Sequence, residues 1–472
     1  MIRYDDRGLA ALVAQVCICV VVAISVAGIF VAAPALSLVA GAALAVYFML
    51  SWRRFSIATW VPVSLSVLLL AISLWQGLGP DTLIRAIERM TFLAALLAFL
   101  GVLRLVASEA PEISRAGRYL TSQPPGRRYL ALNFGGHVLG VLVNMGSIAI
   151  LLDMARRSVL HDSQHLPEHL RELKLRRMTV AVLRGFSLVP LWAPFGFGMN
   201  ILLMSLPGLH YAQIGPVGFA LSFVFVLWGW LMDRLTAPAV LPGAPAPPDP
   251  ADRGAVPLLL GHVAALGLST FGLHFGTGLG FQQSLLVAVP VYSLAWAARL
   301  GMLRPEGAAG AVLRVVGASI RQFPLAAGEI GVFASAGLLS VLALELIPVE
   351  RVQAAFTTVS VDSWQMIIAI NLTLFCLGTI GINPIITVSI LGSLMSQLAV
   401  PGLSDLAIAL SLAGSWSCVM VFTPFITTVA YASALTGRPA ATVGFRWNGL
   451  YSLSALALWT AGMAAAVAVG LF

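Results

Sequence analysis

Apolar runs long enough to cross a bilayer follow one another along most of this chain, separated by short polar segments. A spanning helix needs roughly 20 predominantly apolar residues. Such runs lie near 10–31, 33–51, 57–77, 91–108, 178–206, 210–232, 257–275, 279–298, 326–346, 404–434 and 448–471. Two further apolar stretches, 129–153 and 365–400, do not fit as simple crossings. The pattern predicts an all-α polytopic membrane protein with about 11 transmembrane helices.

The polar segments predict the topology. Arg3 and Arg7 precede the first run, and Arg53 and Arg54 follow the second. Positive charge collects on the cytoplasmic side, so the N-terminus is expected inside. Counting on, segment 109–128, with Arg115, Arg118, Arg127 and Arg128, is inside too. Segment 154–177 carries Arg156, Arg157, Arg171, Lys174, Arg176 and Arg177 and should share that side. The apolar stretch between them must then enter and leave on one face. With about 25 residues it is too short for two crossings, so it reads as a re-entrant hairpin over 129–153. Its middle, Phe134-Gly135-Gly136-His137-Val-Leu-Gly140-Val-Leu-Val-Asn144-Met-Gly146, has small residues suited to a non-helical tip. Such backbone is tolerated in a membrane only where protein or a cavity shelters it.

Beyond a Pro-rich stretch, 233–256, read as a cytoplasmic linker, the same count runs with opposite sense. Arg299, Arg304, Arg314 and Arg321 place 299–325 inside; 347–364, whose one basic residue is Arg351, falls outside; Arg438 returns inside. The stretch 365–400 therefore starts and ends outside, as a second hairpin. Four parts result: an N-terminal helix pair (1–56), a first repeat (57–232), the linker, and a second, inverted repeat (257–472).

Short motifs support the repeat. Trp192-Ala-Pro194-Phe195 aligns with Phe422-Thr-Pro424-Phe425, and the same offset pairs Ser187 with Ser417. Upstream, Asn144-Met-Gly146 faces Asn383-Pro384. Each half runs from an Asn-bearing hairpin through a long apolar segment broken by Pro-Phe to one last crossing. Inverted repeats with broken helices suit alternating access about a midplane site, where half-helix N-termini favour anions and unwound carbonyls hold cations.

Composition excludes other classes. Of 472 residues 59% are hydrophobic and 10% charged, against about 25% charged in soluble domains. The net charge of +8 follows from the cytoplasmic arginines and does not imply nucleic acid. No P-loop appears, which argues against ATP drive within the chain. Cys17, Cys19, Cys376 and Cys418 lie in apolar runs and suggest neither a disulfide framework nor a metal site. His161, Asp162, His165, Glu168 and His169 read as a solvated linker helix rather than a metal site. The first apolar run reads as a retained helix.

On these features the chain resembles the ion transporter superfamily, which includes divalent-anion/sodium symporters, citrate carriers, arsenite-type permeases and TRAP membrane subunits. The matching residues are Gly381-Ile-Asn383-Pro384-Ile-Ile-Thr387, Thr423-Pro424-Phe-Ile-Thr427-Thr428 and their weaker first-half partners. A Ser-Asn-Thr tip motif is absent, and Met145-Gly146 stands where the second half has Pro384. The resemblance implies substrate binding, often with Na+, at Asn144 and Asn383 and at the breaks around Pro194 and Pro424, with Thr423 and Thr427. It also allows a homodimer.

The candidate substrate set is Asn144, Gly146, Ser147, Arg184, Ser187, Asn383, Pro384, Thr387, Ser417, Thr423, Thr427 and Thr428. Each has a plainer alternative. The two Asn residues can cap their turns. Arg184 can grip a carboxylate or snorkel to the basic border. The Ser and Thr hydroxyls can bond back to helix carbonyls. Glu329 is a candidate for proton coupling or a partner for Arg321, and His137 for proton handling or structure.

The expected function is secondary active transport of a small molecule, an organic anion by preference, coupled to Na+ or H+ in a bacterial inner membrane. No other cofactor is expected, and the partners are the substrate and the lipid bilayer. Two alternatives stay open: a membrane-embedded transferase acting on a lipid or polysaccharide, and the membrane subunit of a multicomponent transporter.

Overall fold

A computed structural model describes residues 8–31, 33–160, 164, 166–236, 250–351, 353, 361–398 and 400–472. Ten helical spans among these residues are long and apolar enough to cross a membrane. The chain is an all-helical, multi-pass membrane protein. The sequence pattern counts one crossing more, because 404–434 is divided into helices of 15 and 10 residues, neither long enough alone. Most of the Pro-rich linker, 237–249, lies outside the described residues.

The helices are α1 (Leu9–Ala27), α2 (Pro34–Ser51), α3 (Ile57–Trp75), α4 (Pro80–Glu109), α5 (Pro111–Thr121), α6 (Pro125–Val143), α7 (Met145–Leu160), α8 (Glu168–Phe186), α9 (Val189–Trp192), α10 (Phe197–Ser205) and α11 (Tyr211–Leu235). They continue as α12 (Pro250–Arg253), α13 (Ala255–Thr277), α14 (Phe281–Met302), α15 (Gly307–Gln322), α16 (Ala327–Leu346), α17 (Ser363–Thr379), α18 (Pro384–Leu398), α19 (Asp405–Val419), α20 (Thr427–Thr436) and α21 (Trp447–Ala468).

Two compact units divide the chain. The first holds Met1–Val106, Leu268–Val359 and Ile385–Leu398. In it α1 packs on α2, α3 on α16 and α14 on α15. Tyr47 donates to the Phe323 carbonyl at 2.6 Å. A Cβ on Gly337 of α16 would come within 2.6 Å of the Arg89 carbonyl, so only glycine lets α4 approach so closely. Glu329 accepts from Arg104 at 3.0 Å. Of the alternatives for Glu329, pairing with Arg321 is therefore not the one realised: its partner is a residue of another helix.

The second unit holds Ala107–Gly267, Ser360–Pro384 and Ala399–Phe472. At its centre the span 168–205 has 89% of its apolar window buried, against 17% for α13. The difference marks α8–α10 as enclosed by protein and α13 as exposed along most of its length.

The first hairpin is α6 and α7, packed together and joined at Asn144. Its arms of 19 and 16 residues are about 28 and 24 Å long, exceeding the predicted 129–153 because the charged ends, through Arg127 and Arg157, are helical as well. The glycines expected to shape the tip lie inside α6 instead. A Cβ on Gly136 would stand 2.3 Å from the Val182 carbonyl, and one on Gly185 would stand 1.9 Å from the Asn133 carbonyl. Gly140 meets Phe186 and Val189. These small residues form a close helix seam between α6 and α8, the use they most often have in membranes.

Candidate functional site

In the second unit the chain leaves helical geometry twice in the same way. After α9, Ala193 turns extended (φ −69°, ψ 116°), Pro194 and Phe195 form a turn, and Gly196 (φ −75°, ψ 141°) starts α10. After α19, Thr423, Pro424 and Phe425 repeat the course, and Ile426 (φ −83°, ψ 137°) starts α20. Gly196 N–H donates to the Ala193 carbonyl at 3.0 Å and Ile426 N–H to the Thr423 carbonyl at 3.4 Å. The aligned Pro-Phe motifs thus mark congruent breaks. Proline supplies the reason: it lacks the N–H that would continue the ladder and biases its predecessor to extended backbone.

Each break is backed by a glycine. A Cβ on Gly218 would lie 1.9 Å from the Leu191 carbonyl, and one on Gly444 2.3 Å from that of Phe422. The halves also interlock inside this unit: α9 and α10 pack on α19, while α20 packs on α7 and α8.

At the first tip Asn144 takes positive φ (50°, ψ −129°), the one non-glycine to do so among the described residues. Its carbonyl accepts from Ser147 N–H at 2.9 Å and from the Ser147 hydroxyl at 2.7 Å. These bonds close the turn through backbone and serine, and the Asn144 side chain has no hydrogen bond among the described residues. A Cβ on Gly146 would approach Val143 Cγ1 to 2.6 Å.

At the second tip Gly381 takes φ 101° and packs on Phe425 of the second break. Thr423 donates to the Thr379 carbonyl at 3.1 Å and accepts from Phe425 N–H at 3.3 Å. The structure therefore brings the turn bearing Asn383 to the second break. Pro384 is the first residue of α18, where a missing N–H costs nothing. Thr387, in the first unit, is buried with no partner for its hydroxyl among the described residues. Thr428 is buried and Thr427 exposed at the start of α20.

Other candidates stand elsewhere. Arg184 does not snorkel. It is 6% exposed, donates to Asn448 Oδ1 at 3.0 Å and the Trp447 carbonyl at 3.4 Å, and lies 4.1 Å over the Tyr451 ring. Residues 442–446 form a π-helical turn just before Trp447. No carboxylate pairs with Arg184 among the described residues. Ser187 and Ser417 bond back to the Arg184 and Ala413 carbonyls, both at 2.9 Å. His137 accepts from the Trp192 indole and is 6% exposed, which supports its structural reading. Of the histidine-rich segment, His161, Asp162 and His165 lie outside the described residues.

Besides Asn448, sequence reasoning missed three buried amides. Asn200 donates to the Pro194 and Gly196 carbonyls at 3.1 and 3.0 Å. Asn133 donates to the Ala181 carbonyl at 3.4 Å, and Asn371 accepts from Ser415 at 2.6 Å. The last two hold the first arm of each hairpin to the helix that leads into its break. Polar amides inside apolar runs were the signal available.

Hairpins and broken helices define a class, the polytopic membrane protein whose interrupted helices are sheltered by others. Similarity to a solved structure makes this more specific. The YdaH transporter of Alcanivorax borkumensis, reported to have an unusual topology, matches with a TM-score of 0.61 at 15% identity. The match covers 88% of this chain and 99% of that one. The likeness is one of fold. No family profile and no curated protein sequence matches the chain.

Proposed function

We propose that this protein is a secondary active transporter of a small organic anion, working by alternating access with Na+ or H+ coupling. The observation that carries the reading is the pair of congruent breaks at 193–196 and 423–426, set at matching places in two interlocked halves. Breaks of this kind leave N–H and carbonyl groups free for a substrate and a coupling ion. The fold shared with a solved transporter and the motif resemblance to the ion transporter superfamily support it. Asn144, with its unbonded amide, and Asn383, beside the second break, are the binding residues, assisted by Thr423, Thr427 and Thr428. Arg184, a buried cation with no carboxylate partner among the described residues, favours an anionic substrate. The placement of arginines supports an N-terminus on the cytoplasmic side, and a bacterial inner membrane is the location that goes with this reading.

The test is uptake of a panel of carboxylates into proteoliposomes, with Na+ and pH gradients varied separately. One or more carboxylates should accumulate under a gradient, and Asn383→Ala should abolish uptake while the purified protein elutes as wild type. Normal transport by that variant removes Asn383 from the site. No gradient-driven uptake of any carboxylate overturns the anion reading.

A further inference from the structure

α20 leads into α21 through the π-helical turn at 442–446. This turn backs the second break. Gly444 within it faces the Phe422 carbonyl with no room for a Cβ, and the Phe445 ring meets the Phe422 ring edge-on at 5.1 Å. Where the turn sits therefore decides where the backbone entering the break can lie. The first break has a side-chain donor in its own following helix, Asn200; the residue aligned with it at the second is Ala430.

Asn448, which is fully buried, seats the turn. Its Nδ2 donates to the Val443 carbonyl at 2.9 Å, and its Oδ1 accepts from Arg184 Nε at 3.0 Å. A guanidinium has donors and no acceptor. It can meet only the oxygen end of the amide, so it directs the nitrogen end toward the turn. Arg184 is fixed in its own place: Nη2 donates to the Trp447 carbonyl at 3.4 Å, and the guanidinium lies 4.1 Å over the Tyr451 ring. Val443, Gly444 and Asn448 are all buried. Water does not replace a lost bond there, and a buried group left unpaired is costly.

Arg184 belongs to α8, the helix that leads toward the first break, 264 positions before Asn448. A continuous set of contacts thus runs from α8 through Asn448 and the π-turn to Phe422, just ahead of the second break. Packed and hydrogen-bonded contacts of this kind carry coupling between distant segments.

We infer that Arg184 and Asn448 are positioning residues for the second break: Arg184 orients the Asn448 amide, the amide seats the π-turn, and the turn holds the backbone at Phe422. Asn448 is neutral, so the bond leaves the positive charge of Arg184 in place. The inference goes beyond the transport reading and stands without it. In a transporter, it means that the helix entering one break sets the geometry of the other.

The test is amide hydrogen exchange, read by mass spectrometry on the full-length protein in detergent, so it does not depend on finding a substrate. Arg184→Gln should speed exchange about tenfold over 422–430 and less than about twofold over 187–200, although Arg184 lies in the helix next to the latter. Asn448→Asp keeps an oxygen for Arg184 and removes the donor to Val443; it should act alike over 422–430. Because the two residues act in series, the double variant should exchange there no faster than the faster single one. Faster exchange confined to 187–200 in Arg184→Gln, or spread evenly over the protein, overturns the inference, as does unchanged exchange over 422–430 in either variant. The wild-type protein supplies a test that needs no variant to fold. With rising urea, 422–430 and 440–447 should lose protection together as one unit, and loss at separate concentrations overturns the inference.

Discussion

At the first break Ala193 and Phe195 are 0% and 3% exposed, and Asn200 donates its side-chain amide to the Pro194 carbonyl that the interruption frees and also to the Gly196 carbonyl at the start of α10. At the second, the backbone is the same, yet Phe425 is 66% exposed and the residue aligned with Asn200 is Ala430. Thr423 serves there instead, tying the break to the end of α17. One break is clamped from its own following helix and sealed in protein. The other is held from the hairpin side and open. A buried, unpaired carbonyl is costly, so the sealed break needs its amide. An open carbonyl can exchange partners with water, substrate or ion, so the second break is the better placed to change during a transport cycle.

The comparison can be broken most forcefully at the glycines. Gly218→Val and Gly444→Val each drive a side chain into a backbone carbonyl that cannot rotate away. Each should lose about 1–3 kcal/mol, read as a lower unfolding midpoint of the purified protein. Tolerance of Gly444→Val alone would show that the second break relaxes where the first cannot.

Asn200→Leu comes next. It leaves the Pro194 and Gly196 carbonyls without their side-chain donor, at a cost of about 1–3 kcal/mol. A midpoint equal to wild type would mean that the first break is held by packing alone. Thr423→Val should be milder for stability, about 1 kcal/mol, but should depress carboxylate uptake more than it depresses the midpoint, with Thr423→Ser restoring both. Loss of stability without loss of uptake would make Thr423 a structural tie only. Smallest of all, Phe425→Ala should shift stability by less than about 0.5 kcal/mol; a large fall in the midpoint would show that the second break is sealed after all.

Much of this fold could be read beforehand. The Pro-Phe motifs located both breaks to the residue, since proline acts on its own backbone whatever surrounds it. The charge count on either side placed the first hairpin, and the resemblance to the ion transporter superfamily put Asn144 at its tip. The glycines of α6 were misassigned because a small residue permits both a tight turn and a close helix approach, and only the opposing helix decides between them. The snorkelling alternative for Arg184 fails for a related reason: proximity to the basic border is visible in sequence, whereas Asn448 and Tyr451, its partners, lie more than 260 positions away.

The amino-acid order by itself determined the membrane as solvent, the succession of helices and the points where two of them stop, because hydrophobicity and proline act within one segment. Tertiary structure decided which carbonyl faces which glycine and which amide clamps which break. Those outcomes depend on close contact between segments distant in sequence, and periodicity along one helix carries no information about what packs against it.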